Sequence, residues 1–249
     1  MKQVDKHSTN KTSKLLLFGG TGKLGKELSA QASSDIELFT PSHNECDITK
    51  LNNVITTIRN IKPDTIINAA AIVGVNECEK NRLNAWNTNV IGTLNIAKAC
   101  AEKNIRLIFI SSAVIFDGIK GNYTETDPPA PTNYYALTKV AAEQAVSVVP
   151  NSAIIRLDFF PLNKLKYNQI FIDHFTSKIP VTEAAYQILK IVKSKFVGII
   201  NIGQGRNSLY NILKPYFPGI IPSKIEESTL PSFPKDISLD LTKWRNIFE

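Results

Sequence analysis

Through the first 160 residues, short apolar runs alternate with longer stretches whose apolar positions recur at helical spacing. The runs at 14–18, 36–40, 65–68, 107–111 and 153–157 predict strands, and the stretches at 24–32, 51–61, 83–103 and 135–148 predict helices between them. Strand and helix in turn is the pattern of βαβ units wound around a parallel sheet. The stretch at 51–61 carries Val54, Ile55, Ile58 and Ile61 on one face, as a helix lying on a sheet requires, with Asp47 and Thr49 as candidate caps. The proline-rich segment 118–132 follows neither period and reads as a positioning loop. Beyond residue 157 the pattern loosens to a strand at 198–202, helices at 181–192 and 209–216, and a last short helix at 241–248 expected to dock on the main body.

Composition narrows this picture. With 249 residues, 43% hydrophobic and 20% charged, the chain is an ordinary globular sequence, large enough for one α/β body with a small lobe. No apolar run approaches the roughly 18 residues that span a bilayer. The polar opening MKQVDKHSTNKTS lacks the apolar core of a signal peptide, so a cytoplasmic protein with a disordered tail over 1–13 is expected. The formal charge of +7 comes from scattered lysines with no basic run interleaved with aromatics, which points to an anionic small molecule and away from nucleic acid. Cys46, Cys78 and Cys100 match no metal or redox spacing, and His7, His43 and His174 form no cluster, so no metal is expected.

Chemistry first shows at FGGTGKLGKE, directly after the apolar run that ends at Phe18. Aligned on Gly20, Gly25 and Lys26 it nearly matches an NTPase phosphate loop, but Glu27 stands where a Ser or Thr must ligate magnesium, and a carboxylate there would repel phosphate. Aligned on Gly19, Gly22 and Gly25 nothing is out of place: a strand, a tight glycine turn and a helix whose N-terminus faces a pyrophosphate. Further on, Tyr135 and Lys139 lie four apart and share one helix face. An ammonium beside a phenol lowers its pKa toward neutrality and makes it a usable proton donor. The strand at 107–111 runs into Ser111 and Ser112 at its carboxyl end, where open α/β sheets bind ligands. Ser112 could there polarise the carbonyl that Tyr135 protonates.

Taken in order, FGGTGKLG, Asp47-Ile48, Asn68-Ala69-Ala70-Ala71, Asn89-Val90-Ile91-Gly92-Thr93, SSAVIFDG and YALTK resemble the extended short-chain dehydrogenase/reductases, and within them the dTDP-4-dehydrorhamnose reductase group. The resemblance covers most of the first 160 residues. It implies a Rossmann-type, doubly wound parallel sheet, with an NAD(P)-binding domain over 14–160 and a small, shortened substrate lobe from 161–249 packed on it. It further implies that Gly19, Gly22, Lys23, Leu24 and Gly25 surround the pyrophosphate, and that Thr40, Asp47 and Ile48 lie toward the adenosine. Asn68, Ala69, Ala70, Ala71, Ile72 and Val73 would line the nicotinamide side. Asn89 would support the sheet end and a proton relay through water, and Lys139 would hold the nicotinamide ribose while tuning Tyr135. Ser112, Tyr135 and Lys139 are then catalytic, and Ser112, Ala113, Tyr135 and Arg156 face substrate. The implied reaction is hydride transfer from NAD(P)H to C4 of a 4-keto-6-deoxy sugar nucleotide in deoxysugar biosynthesis.

Departures from the family pattern qualify what it implies. Ala113 and Val114 follow the catalytic hydroxyl where relatives often carry Asp and Tyr, which removes a polar group from the sugar side. The second strand ends at Thr40 with no acid to bind an adenosine ribose, and Ser42, His43 and Lys50 nearby favour NADP over NAD. The stretch between Asp158 and Val181 is short for a substrate lobe. A nucleotide-sugar epimerase and a non-catalytic, dinucleotide-binding regulatory subunit stay open as alternatives, as does a homodimer; neither a nucleic-acid nor a membrane partner is expected.

Overall fold

Leu15 and Leu17 turn to one side of their strand and Leu16 and Phe18 to the other, and all four are buried, so this strand has no solvent face. That is the state of a strand in a parallel sheet covered on both faces. A computed structural model of the chain describes residues 12–165, 167–227 and 234–249. The tail expected over 1–13 lies outside the described residues as far as 11, and β1 (Ser13–Phe18) begins at Ser13.

After β1 come α1 (Lys23–Gln31), β2 (Ile36–Phe39), α2 (Leu51–Ile61) and β3 (Thr65–Asn68). Two short helices, α3 (Val75–Lys80) and α4 (Arg82–Trp86), lead through a π-helical turn at Asn87–Ile91 into α5 (Gly92–Lys103). Then follow β4 (Arg106–Ile110), a 3-10 turn at Ala113–Ile115, α6 (Tyr134–Val146) and β5 (Ser152–Arg156). The lobe opens with four short strands, β6 (Phe159–Phe160), β7 (Gln169–Phe171), β8 (Phe175–Thr176) and β9 (Ile179–Pro180). The chain closes with α7 (Val181–Lys193), β10 (Gly198–Asn201), β11 (Asn207–Ser208), α8 (Leu209–Leu213), β12 (Ile221–Ser223) and α9 (Thr242–Phe248).

The main sheet has six parallel strands in the order β10-β5-β4-β3-β1-β2. The winding reverses between β1 and β3, and a crevice forms outside the carboxyl ends at such a switch point. On one face Leu15, Leu17, Ile67, Ile108 and Ile155 meet Leu24 and Leu28 of α1, Ile188 of α7 and Trp244 of α9. On the other, Leu16, Phe18, Ile66, Leu107 and Phe109 meet Val54 and Ile58 of α2, Ile96 of α5 and Val146 of α6. The doubly wound parallel sheet expected from the sequence is present. Of the segments after 160 grouped as a lobe, α7, β10 and α9 belong to this main body; the short strands pair among themselves around Phe160, Ile170, Ile212, Leu213 and Ile220.

Two local expectations need correction. The helix expected over 83–103 is interrupted by the π turn at Asn87–Ile91. The caps proposed for α2 are used elsewhere: the Asp47 carboxylate accepts from the Thr49 amide (3.0 Å) and hydroxyl (2.7 Å), and Lys50 stands at the N-cap with no side-chain cap bond. Among the described residues, no helix is long and apolar enough to cross a membrane.

Candidate active site

The glycine turn is shaped by close backbone approach. Gly19 holds φ +88°, and a side chain there would place its Cβ 2.6 Å from the Ala69 carbonyl carbon. A Cβ on Gly25 would lie 2.2 Å from the Gly19 oxygen. The Gly22 amide donates back to Gly19 O (3.0 Å), and α1 starts at the next residue with neither a side-chain cap nor an acid in its first turn. Its first amides, those of Lys23, Leu24 and Gly25, therefore have no intrahelical acceptor. An uncapped helix start beside a cradle that any Cβ would fill fits a dinucleotide diphosphate. The Leu24 side chain is in the core, so only its backbone can take part, whereas the Lys23 side chain is exposed.

On the adenosine side, Thr40 is exposed just after β2 and backs onto Gly20, and no acid ends that strand. Of the residues expected to tolerate a 2′-phosphate, the Ser42 amide and hydroxyl both bond Glu45 (2.7 and 2.8 Å), and Lys50 pairs with Asp47 (3.5 Å). The Thr49 hydroxyl holds the Asp47 carboxyl below its usual range despite partial burial. Ile48 is buried against Gly92, where a Cβ would meet its side chain, and its carbonyl accepts from Asn95 (2.9 Å).

On the nicotinamide side, buried Asn68 accepts from the Ala70 amide (3.2 Å) and donates to Thr93 (2.9 Å), which fixes the bend after β3. Ala69, Ala70, Ala71 and Ile72 are half-buried there and Val73 is exposed. Asn89, turned inward by the π turn, accepts from the Ile72 amide (2.8 Å) and donates to the Ile72 carbonyl and the Thr138 hydroxyl (3.0 Å each). Both of its donors are thus engaged, and the side chain ties the 69–73 loop to α6.

Ser112 lies at the mouth of β4, buried, with its hydroxyl accepting from the Val114 amide (3.3 Å). Asn133 caps α6 through the Ala136 amide (2.9 Å). The helix start is also held by Glu79, which accepts from the Tyr134 amide (2.9 Å) and pairs with Arg82 (2.7 Å). This presents Tyr135 to Ser112. The lowering of Tyr135 by Lys139 expected from their spacing is not what the packing produces. Burial pushes the phenol well above its usual range; the Ser112 hydroxyl favours the phenolate, and the Asp158 carboxylate and Cys78 thiol oppose it. Tyr135 nonetheless keeps a partly exposed edge. Lys139 is buried one turn on, donates to the Ile110 carbonyl (2.6 Å) and lies 4.1 Å over the Phe109 ring. Burial pulls its ammonium down to about 7, against the pull of Glu143.

Arg156, expected to face substrate, is a correction. Its guanidinium is buried, bonded twice to Glu143 (3.1 and 2.8 Å) and once to the Glu125 carbonyl (3.2 Å), so its donors are committed to the fold. Ala113 is also fully buried and offers no contact of its own. Sequence reasoning missed Glu143, which accepts from Ser111 (2.5 Å) and sits one turn after Lys139 on the same helix face. A carboxylate at that register among buried positions requires a cationic partner, and that requirement was the available signal. Thr93 and Thr138, which bind Asn68 and Asn89, were missed too, because a threonine inside a helix carries no pattern. Among the described residues, no group of His, Cys, Asp or Glu could hold a metal.

The family profile described as the RmlD substrate binding domain matches residues 13–170. A dTDP-4-dehydrorhamnose reductase of Mycobacterium tuberculosis is 35% identical over 153 residues, 59% of this chain and 50% of that protein. One from Escherichia coli is 37% identical over 138 residues, 53% and 46% of the two chains. The matched segment thus spans about half the length of these curated relatives. Among solved structures, a dTDP-4-dehydrorhamnose reductase of Bacillus anthracis in complex with NADP superposes with TM-score 0.87 at 25% identity, covering 96% of this chain and 94% of that one. A UDP-glucose 4-epimerase of Thermus thermophilus complexed with NAD shares the fold alone, at 17% identity and TM-score 0.72 over 93% and 91% of the two chains. With its glycine turn, its serine-ended strand and its Tyr-Lys helix in the family's order, this chain belongs to the RmlD substrate-binding-domain family.

Proposed function

We propose that the chain is an NADPH-dependent reductase of the C4 keto group of a 4-keto-6-deoxy sugar nucleotide. The observation that carries this reading is the meeting of Ser112, just past the carboxyl end of β4, with the Tyr135 phenol, on a sheet whose glycine turn follows β1 at the switch point. The resemblance to reductases named for dTDP-4-dehydrorhamnose, one of them holding NADP, supports the substrate and cofactor class.

Bound NADPH supplies the hydride that reaches the carbonyl carbon. The Ser112 hydroxyl donates to the carbonyl oxygen and polarises it. Tyr135 delivers its phenolic proton to the same oxygen as negative charge develops there. A phenol held above its usual pKa keeps that proton at neutral pH until an alkoxide-like acceptor forms, which suits an acid in the reducing direction. Lys139, tethered to the Ile110 carbonyl, would hold the nicotinamide ribose when the cofactor is bound. Asn89 keeps the 69–73 loop in place, and that loop would line the nicotinamide side of a bound cofactor.

The test is NADPH oxidation, followed at its absorbance band, on a 4-keto-6-deoxy sugar nucleotide. Tyr135→Phe is expected to lower the rate by roughly 10²–10⁴-fold while NADPH still binds. An unaffected rate removes Tyr135 from the mechanism. Cofactor binding without turnover on any keto sugar would instead make the protein a non-catalytic dinucleotide binder.

A further inference from the structure

Past Ser112 the chain offers the substrate little: Ala113 is buried and Val114 is apolar. The neighbouring strand end differs. The Ser111 amide donates to Ile155 O (2.7 Å) and the Ala113 amide to Leu157 O (2.9 Å), so the β4–β5 ladder continues beyond both strands and sets Asp158 beside the Ser112–Ala113 step. Asp158 is anchored through its own carbonyl, which accepts from the Ile179 amide (3.1 Å). Its carboxylate receives the Lys178 ammonium (3.3 Å) and the buried Thr176 hydroxyl (3.3 Å), and both contacts fall on Oδ2. Oδ1 has no partner among the described residues. The two charged side chains retain 21% and 19% of their surface for Lys178 and Asp158. The pair is therefore largely sheltered yet open along one edge at the mouth of the sheet, where a ligand oxygen could still reach both groups. The Asp158 carboxylate is also near enough to disfavour the Tyr135 phenolate.

We infer that Asp158 and Lys178 form the sugar-reading element of this site, with Asp158 Oδ1 accepting from one ring hydroxyl and the spare Lys178 donors holding a neighbouring oxygen. A carboxylate and an ammonium fixed side by side, one accepting and one donating, match two adjacent hydroxyls of a pyranose ring. The inference rests on the reductase reading for the nature of the ligand, a glycosyl nucleotide, and adds how its sugar is recognised.

The test compares binding of dTDP-glucose with that of dTDP alone, by calorimetry on the full chain with NADPH present. In the wild type the sugar is expected to tighten binding over dTDP. Asp158→Asn should lose that gain by roughly 10-fold, the scale of one hydrogen bond to a charged group, while the dissociation constants of dTDP and NADPH hold. A dTDP-glucose to dTDP ratio unchanged in Asp158→Asn, or no sugar gain in the wild type, overturns the inference. Should Asp158→Asn fail to fold, Lys178→Met carries the same ratio test, and an unchanged ratio there overturns it equally. The two readings fail separately. Normal turnover with an unchanged ratio sinks this inference alone; a sugar gain that depends on Asp158, without turnover on any keto sugar, sinks the reductase reading and leaves this one.

Discussion

Lys139 is the residue whose cost and use are easiest to separate. It is buried against Phe109 and bonded to one carbonyl, and burial lowers its ammonium from 10.5 to about 7. A lysine depressed in the fold is unprotonated there while the unfolded chain still holds the proton, so stability rises with pH between about 7 and 10.5 and carries the full burial cost below 7. Tyr135, raised by burial, acts in the opposite sense above about 10, and Cys100, raised to about 12 from 9.0, does so above 9.0. Subtracting a Lys139→Met variant cancels those other groups. The variant is expected to be the more stable near pH 7, and its advantage should shrink steadily toward pH 10, read from urea melts across the range. An advantage independent of pH would show that the buried amine carries no such shift. The same site shows what a residue-level reading could and could not see. Tyr135, Lys139 and Ser112 were legible from spacing and strand position. The direction of the Tyr135 shift was not, since it depends on how deeply α6 is packed. Arg156 was misread because a strand-end arginine looks free until its partner one element away is known.

At the scale of elements, the central strands were legible because each is a short apolar run covered on both faces, and their boundaries fell within a residue of the expectation. The lobe strands were not, since pieces of two or three residues, such as Phe159–Phe160 and Gln169–Phe171, are too short to show a period. The π turn was invisible for a different reason. Its five residues, Asn87–Ile91, keep the apolar spacing of a helix, and only the inward swing of Asn89 reveals the extra residue. Such insertions cluster at functional sites, and here the consequence is concrete. Three hydrogen bonds from one side chain hold the loop after β3 to α6. Asn89→Ala is therefore expected to raise the KM for NADPH by about 10-fold, through an untethered 69–73 loop, with a smaller effect on kcat; losing a neutral hydrogen bond costs about 1 kcal/mol, and more where a buried partner is stranded. Steady-state kinetics with varied NADPH decides it. An unchanged KM would mean that Asn68 and the backbone fix the loop alone.

Across the whole molecule, one largely buried polar chain joins the end of β4 to the C-terminal segments. Ser111 bonds Glu143 of α6, Glu143 pairs with Arg156 of β5, and Arg156 donates to the Glu125 carbonyl in the 118–132 loop. The Glu125 side chain accepts from the Asn201 amide of β10 (2.9 Å), and Asn201 in turn donates to the Tyr123 and Asp240 carbonyls, just before α9. The loop that sequence analysis read as a positioning element is thereby held at Tyr123 and Glu125, and the Tyr123 ring stacks on Phe116, just before the loop, at 4.1 Å. Both members of the ion pair are about 3% exposed, so removing one strands a charge in the core. Arg156→Met is expected to cost about 3–5 kcal/mol in urea unfolding, whereas adding Glu143→Leu to it should recover a large part of that loss, because replacing both charges removes the stranded carboxylate. The recovery separates two roles for the pair. If the double variant regains stability but not turnover, the pair holds Ser111, and with it Ser112, in register with Tyr135; if stability is not regained either, the pair is a net contributor to folding and the chain of contacts from β4 to α9 depends on its charge.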